Sequence, residues 1–155
     1  MRKLLPSGLV FFAGMMAPAP AVAPHAQERP ADYRFHLLKK FFQKSDCPAV
    51  LYTQAFLDAA DQFDLDWRLL PSLSMIESTG GKAARHNNFF GWNSGNAEFD
   101  SPVAGIREVG YRLANSSLYK DKDLDELLAT YNSNEEYGNK VKSVMRRISP
   151  RRGLQ

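Results

Sequence analysis

The stretch Leu69-Leu70-Pro71-Ser72-Leu73-Ser74-Met75-Ile76-Glu77-Ser78-Thr79-Gly80-Gly81-Lys82 decides how this chain folds. It is apolar up to Ile76, places a single carboxylate in the last helical turn, and stops at two glycines. Leu73 falls one turn before Glu77, and Leu69 and Leu70 one turn before that, so Glu77 lies on or beside an apolar stripe. Asp66 is read as the N-cap of this helix, with Pro71 loosening or kinking its first turn. Gly80 and Gly81 are read as its stop. A carboxyl beside apolar neighbours is costly unless it is paired or used. One reading pairs Glu77 with Lys82 or Arg85, and the other makes it a buried acid facing a cleft.

Helical periodicity continues on both sides of this stretch. Phe35, Leu38, Phe41 and Phe42 are spaced for a helix from Tyr33 to about Lys44, broken by Ser45, Asp46 and Pro48. Leu51, Ala55, Phe56, Ala59 and Phe63 form the apolar stripe of a second helix, running from Pro48 to near Asp64. After the glycines, residues 82–101 contain Asn87-Asn88 and Ser94-Gly95-Asn96 with few aliphatics, which predicts a loop with at most a small β-ribbon. Asp100-Ser101-Pro102 caps a helix through Val103, Ile106, Val109 and Leu113. Two more helices are expected over Leu124–Tyr131 and Glu136–Ile148, joined by Asn132-Ser133-Asn134. The expected fold class is therefore mostly α, a single domain over residues 33–149 with a loop lobe and a basic tail at 150–155.

Composition narrows the function classes. Of 155 residues, 44% are apolar and 24% charged, the balance of one globular domain. Arg2 and Lys3, the apolar run Leu4 to Met16 and the small-residue stretch Ala17 to Ala23 have the layout of a secretory signal peptide over residues 1–26. A short flexible leader, 27–32, follows. Export to the periplasm, cell envelope or exterior is expected, with no membrane association after cleavage. The formal charge is +3, and without Arg2 and Lys3 the chain holds 18 basic and 17 acidic residues, which argues against a nucleic-acid partner. Cys47 is the only cysteine, so no internal disulfide forms and a buried thiol is expected. His86 lacks a second histidine or a carboxylate at ligand spacing, so neither a metal nor another cofactor is expected.

Glu77-Ser78-Thr79-Gly80-Gly81-Lys82, followed by Asn87-Asn88-Phe89-Phe90-Gly91-Trp92, resembles the glucosaminidase family of bacterial peptidoglycan hydrolases. That family contains the mannosyl-glycoprotein endo-β-N-acetylglucosaminidase-like domain and belongs to the lysozyme-like superfamily. The likeness continues at Phe99, Ser101, Tyr131, Tyr137 and Val141 and covers about Phe56 to Ile148. Gly80 stands where family members often carry an aromatic residue. The resemblance implies a lysozyme-like domain with a cleft, peptidoglycan glycan strands as the partner, and Glu77 as general acid on the β-1,4 glycosidic oxygen. It also places Tyr131 in the cleft near the acid.

The residues themselves nominate a substrate surface. Asn87, Asn88, Phe90 and Trp92 are candidate substrate-binding residues, because amides bond hydroxyl and acetamido groups while aromatic faces pack on a pyranose. The resemblance adds Ser78, from the family's Glu-Ser pair, and Asn132, which with Tyr131 is similar to the Tyr-Asn of lytic transglycosylases. Asn88 and Trp92 are expected nearer the ligand, and Phe90 and Gly91 are expected to be structural. A two-carboxylate hydrolase needs a second acid roughly 5 to 9 Å from the first, and Glu98 and Asp100 are the candidates. A lytic transglycosylase needs none, because the 6-hydroxyl of muramic acid attacks its own anomeric carbon. A non-catalytic peptidoglycan-binding protein is the third reading. A monomer is expected.

Overall fold

The computed structural model describes residues 32–150. The proposed signal peptide, most of the leader and the basic tail beyond Pro150 lie outside the described residues. Six α-helices follow one another: α1 (Tyr33–Lys44), α2 (Thr53–Gln62), α3 (Leu69–Ser78), α4 (Pro102–Asn115), α5 (Leu124–Tyr131) and α6 (Glu135–Ile148). The chain is mostly α, and no strand occurs among the described residues. No helix of the described residues is long and apolar enough to cross a membrane.

The helix α3 is the axis of the molecule. Leu69, Leu70, Pro71, Ser72, Leu73 and Ser74 are all buried, so α3 has no solvated face until Met75. The apolar stripe read from the sequence is in fact an apolar surface on every side, the pattern of a helix enclosed by others. α6 packs along it and α2 touches it, while α4 packs on α2, α1 on α2 and α6, and α5 on α6. Leu70 and Leu73 are fully buried, each contributing about 2 kcal/mol of transfer free energy. α3 runs unbroken through Pro71. Because α3 begins at Leu69, Pro71 occupies its first turn, where a backbone N–H has no intrahelical acceptor to lose. Asp66 stands two residues before the cap position, which is Arg68, and its Oδ1 accepts from the Arg68 amide at 3.0 Å. Arg68 is buried, pairs with Asp66 at 2.6 Å and donates from Nη1 to the Ser149 carbonyl at 2.9 Å. The start of α3 is thereby tied to the end of α6.

Two stripe assignments shift. The second helix is split, with a 3-10 segment over Pro48–Tyr52 preceding α2. At three residues per turn this segment rotates out of phase with α2, and Leu51, expected in the stripe, is 79% exposed. Val103 is likewise exposed, leaving Ile106, Val109 and Leu113 as the buried face of α4. The caps are those expected on α4, where Ser101 Oγ accepts from the Ala104 amide at 3.1 Å and Pro102 opens the helix. Asp32, grouped with the leader in the sequence reading, caps α1 by accepting from the Arg34 amide at 2.9 Å. Cys47 is a buried free thiol packed against Met75, and burial pushes its pKa up.

Candidate active site

Glu77 occupies the last turn of α3. The helix ends because Thr79 turns left-handed (φ 54°), and the Thr79 and Gly80 amides bond back to the Met75 and Ser74 carbonyls at 3.1 and 3.0 Å. The stop therefore begins one residue before the two glycines, which complete the reversal with φ values of 64° and 95°. Gly81 lies so close to Phe89 that an added Cβ would fall 2.6 Å from its ring. The chain turns over Ser78, whose buried hydroxyl donates to the Phe89 carbonyl at 2.7 Å and accepts from the Gly81 amide at 2.9 Å. Ser78 thus fastens the end of α3 to the following loop and has no proton left for a ligand.

That loop consists of turns. The β-ribbon allowed for in the sequence reading amounts to one isolated bridge between Arg85 and Asn88. His86, Asn87, Asn93 and Ser94 adopt positive φ, as do Gly91 and Gly95, so tight reversals replace strands. Asn88 is buried, and its side-chain amide spans Trp92, donating to the Trp92 carbonyl at 3.0 Å and accepting from the Trp92 amide at 2.9 Å. It positions Trp92 and does not face the ligand space. Asn87 donates to the Phe99 carbonyl at 2.8 Å and holds the two ends of the loop together.

A cavity of about 340 Å³ opens at the acid, lined by Glu77, Phe90, Gly91, Trp92, Asn93, Ser94, Tyr119, Tyr131 and Asn132. Of the residues nominated from sequence, the fold brings Glu77, Phe90, Trp92, Tyr131 and Asn132 together here. Ser78, Asn87 and Asn88 sit behind it as scaffold. Glu98 and Asp100 do not line it. Both are exposed, and Glu98 faces His86 Nδ1 at 3.4 Å. Neither Lys82 nor Arg85 forms an ion pair with Glu77 among the described residues, and Lys82 turns to Asp46 instead.

The partner of Glu77 is Tyr137, whose hydroxyl donates to Glu77 Oε1 at 2.5 Å. Tyr137 starts the buried face of α6 that continues through Val141, Val144, Met145 and Ile148. The sequence reading placed Tyr137 in a family pattern without a role. Its place at the head of that stripe was the available signal for a residue aimed at the end of α3. Tyr131 stacks on Tyr137 with ring centroids 5.8 Å apart and planes 12° from parallel, and donates to the Phe90 carbonyl at 2.9 Å. Trp92 meets Tyr131 edge-on at 5.8 Å and Tyr119 at a tilt of 49° at 6.1 Å. Tyr119, Gly91, Asn93 and Ser94 were not nominated, because nothing in their local spacing separates them from ordinary turn residues.

The aromatic wall shapes the chemistry of the acid. Oε1 is occupied by the Tyr137 hydroxyl, which leaves Oε2 on the side of Gly91. An added Cβ at Gly91, whose φ is 58°, would stand 3.2 Å from Oε2. Glycine here supplies both the backbone conformation and the clearance for a substrate atom to approach that oxygen. The arrangement suits a carboxyl that is held by one oxygen and exchanges a proton through the other.

Burial raises the pKa of both Tyr131 and Tyr137 above the ordinary tyrosine value, and the negative Glu77 adds to the effect. Between the unfolded and folded values the unfolded chain releases protons that the folded chain keeps. Stability is therefore full below about pH 10 and falls above it, at roughly 1.4 kcal/mol per pH unit for each tyrosine. Alkaline titration should give a cooperative unfolding transition in which phenolate absorbance and loss of helical circular dichroism coincide. Smooth tyrosine ionisation near pH 10, with helicity intact, would contradict the buried stack.

The fold and site define a helical domain in which a glutamate at a helix end opens into an aromatic and amide-lined cavity. Comparison of the chain with protein-family models, curated proteins and solved structures finds no match.

Proposed function

We propose that this chain is an exported glycosidase that cleaves β-1,4 bonds of the peptidoglycan glycan strand, with Glu77 as general acid. The observation that carries the reading is the Tyr137–Glu77 pair at the cavity wall. One oxygen of the carboxyl is fixed, and the other is free to give a proton to a leaving glycosidic oxygen. Trp92, Tyr119 and Tyr131 offer ring faces to a pyranose, and Asn93, Ser94 and Asn132 offer hydrogen bonds to its hydroxyl and acetamido groups. The wider arrangement, a buried helix delivering its terminal glutamate to a cleft beside a turn-rich lobe, supports a lysozyme-like fold. The secretory layout of residues 1–26 supports action in the cell envelope.

The cavity also bears on mechanism. Glu77 is its only carboxylate among the described residues, while Glu98 and Asp100 are turned to solvent. The group that stabilises the oxocarbenium-like centre then comes from the sugar. In the hydrolytic route the 2-acetamido oxygen of N-acetylglucosamine closes on the anomeric carbon as Glu77 protonates the leaving oxygen, and water opens the ring. In the second route, which the lone carboxylate equally favours, the 6-hydroxyl of muramic acid makes the attack and an anhydro sugar leaves. Mass spectrometry of muropeptides released from sacculi separates them. Reducing N-acetylglucosamine ends are expected, with Glu98→Gln and Asp100→Asn within about twofold of the parent rate. Products one water lighter would replace hydrolysis with the transglycosylase route. A marked loss in either loop variant would restore a second protein carboxylate to the mechanism.

A further inference from the structure

Trp92 forms one wall of the Glu77 cavity, and its ring is covered from α4 by a cation. The Arg112 guanidinium carbon stands 5.7 Å from the ring centroid. Of the cation–ring contacts among the described residues, this one alone involves a cavity residue. Arg112 Nε donates to Glu108 Oε1, one turn back on α4, at 2.7 Å. That bond fixes the guanidinium plane and uses one of its five N–H donors. The side chain remains 47% exposed, and its terminal nitrogens have no partner among the described residues.

An ion pair four residues apart on a helix is ordinarily part of a solvated face. The contact with Trp92 sets this one apart, because it brings a planar, permanently charged fork against a residue that forms the cavity wall. Apart from Glu77 the cavity lining is neutral, made of tyrosines, Trp92, Phe90, Gly91, Asn93, Ser94 and Asn132. The charge that stands against Trp92 from α4 is that of Arg112, moderated by Glu108. Two parallel N–H groups on a guanidinium edge match a carboxylate in geometry as well as in sign.

We infer that Arg112 is a specificity-determining residue that binds a carboxylate of the glycan at the subsite bordered by Trp92, so that the site prefers acidic strands to neutral ones. The inference rests on the reading of the Glu77 cavity as a glycan site. In a strand of β-1,4-linked amino sugars such a carboxylate comes either from the lactyl ether of muramic acid or from an attached peptide. A chitin strand has neither.

The test uses the full chain carrying Glu77→Gln, so that glycans are bound and not consumed, with binding followed through tryptophan fluorescence. Three probes separate the sources: chitotetraose, a peptide-free tetrasaccharide alternating N-acetylglucosamine and muramic acid, and the same tetrasaccharide with its lactyl groups amidated by peptides. At least one acidic probe should bind about tenfold tighter than chitotetraose, the scale of one charge-assisted hydrogen bond. Which acidic probe gains shows which carboxylate is read. Adding Arg112→Gln should remove the preference and leave chitotetraose affinity unchanged, whereas Arg112→Lys should keep part of it. Equal affinity for all three probes in the parent overturns the inference alone. So does a uniform loss in Arg112→Gln, which would make the arginine a support for Trp92. Failure to bind any of the three overturns the glycan-site reading and the inference with it.

Discussion

Glu77→Gln is expected to lower the rate of glycan cleavage by a factor of order 10² or more and to leave the melting temperature within a few degrees of the parent. The amide oxygen can still accept from the Tyr137 hydroxyl, so the 2.5 Å contact between α3 and α6 has a replacement of the same shape. What the amide lacks is an acidic proton on the side of Gly91. Release of soluble fragments from labelled sacculi measures the rate, and thermal unfolding by circular dichroism controls for the fold. Activity within a few-fold of the parent would mean that another group transfers the proton. A large fall in stability would mean that Glu77 is primarily a structural partner of Tyr137.

Phe56→Ala should cost about 4 kcal/mol of stability, equivalent to a melting temperature lower by roughly 15 °C. Phe56 is fully buried on α2, with its ring 5.4 Å from Phe42 of α1 and 6.4 Å from Phe90 of the loop. Truncation loses the transfer free energy of the ring and leaves a cavity between α1, α2 and the loop. The loss is large beside the 5–15 kcal/mol that typically holds a domain together. It should also reach the site. Phe90 supplies the carbonyl that receives the Tyr131 hydroxyl, so loosening Phe90 loosens the wall of the cavity. Urea denaturation of parent and variant gives the difference directly, and a loss under 1 kcal/mol would place Phe56 outside the core.

The sequence by itself determined most of the helices and the place of Glu77 at a helix end. Alternation at helical spacing, Ser101-Pro102 and the Asn132–Asn134 break located α1, α4, α5 and α6 to within two residues, because caps and apolar faces are local properties of the chain. Glu77 was legible for the same reason, as one carboxylate at the end of an apolar run. Tertiary structure decided what surrounds it. That α3 is buried on every side from Leu69 to Ser74, and not striped, follows from what packs on it, α6 above all, which no window of residues contains. The slip in phase that exposes Leu51 depends on a 3-10 segment whose spacing mimics an α-helical stripe. Amide side chains were the hardest to read, since Asn87 and Asn88 have the chemistry of sugar ligands but spend it on the carbonyls of Phe99 and Trp92. A loop of turns has few backbone partners of its own, and its side chains supply them. The pairing of Glu77 with Tyr137, across 60 residues, exists only because α6 lies along α3. The same packing leaves Glu98 and Asp100 in solvent, because the loop that carries them is fastened at its two ends and reaches the cavity through Phe90 to Ser94 alone.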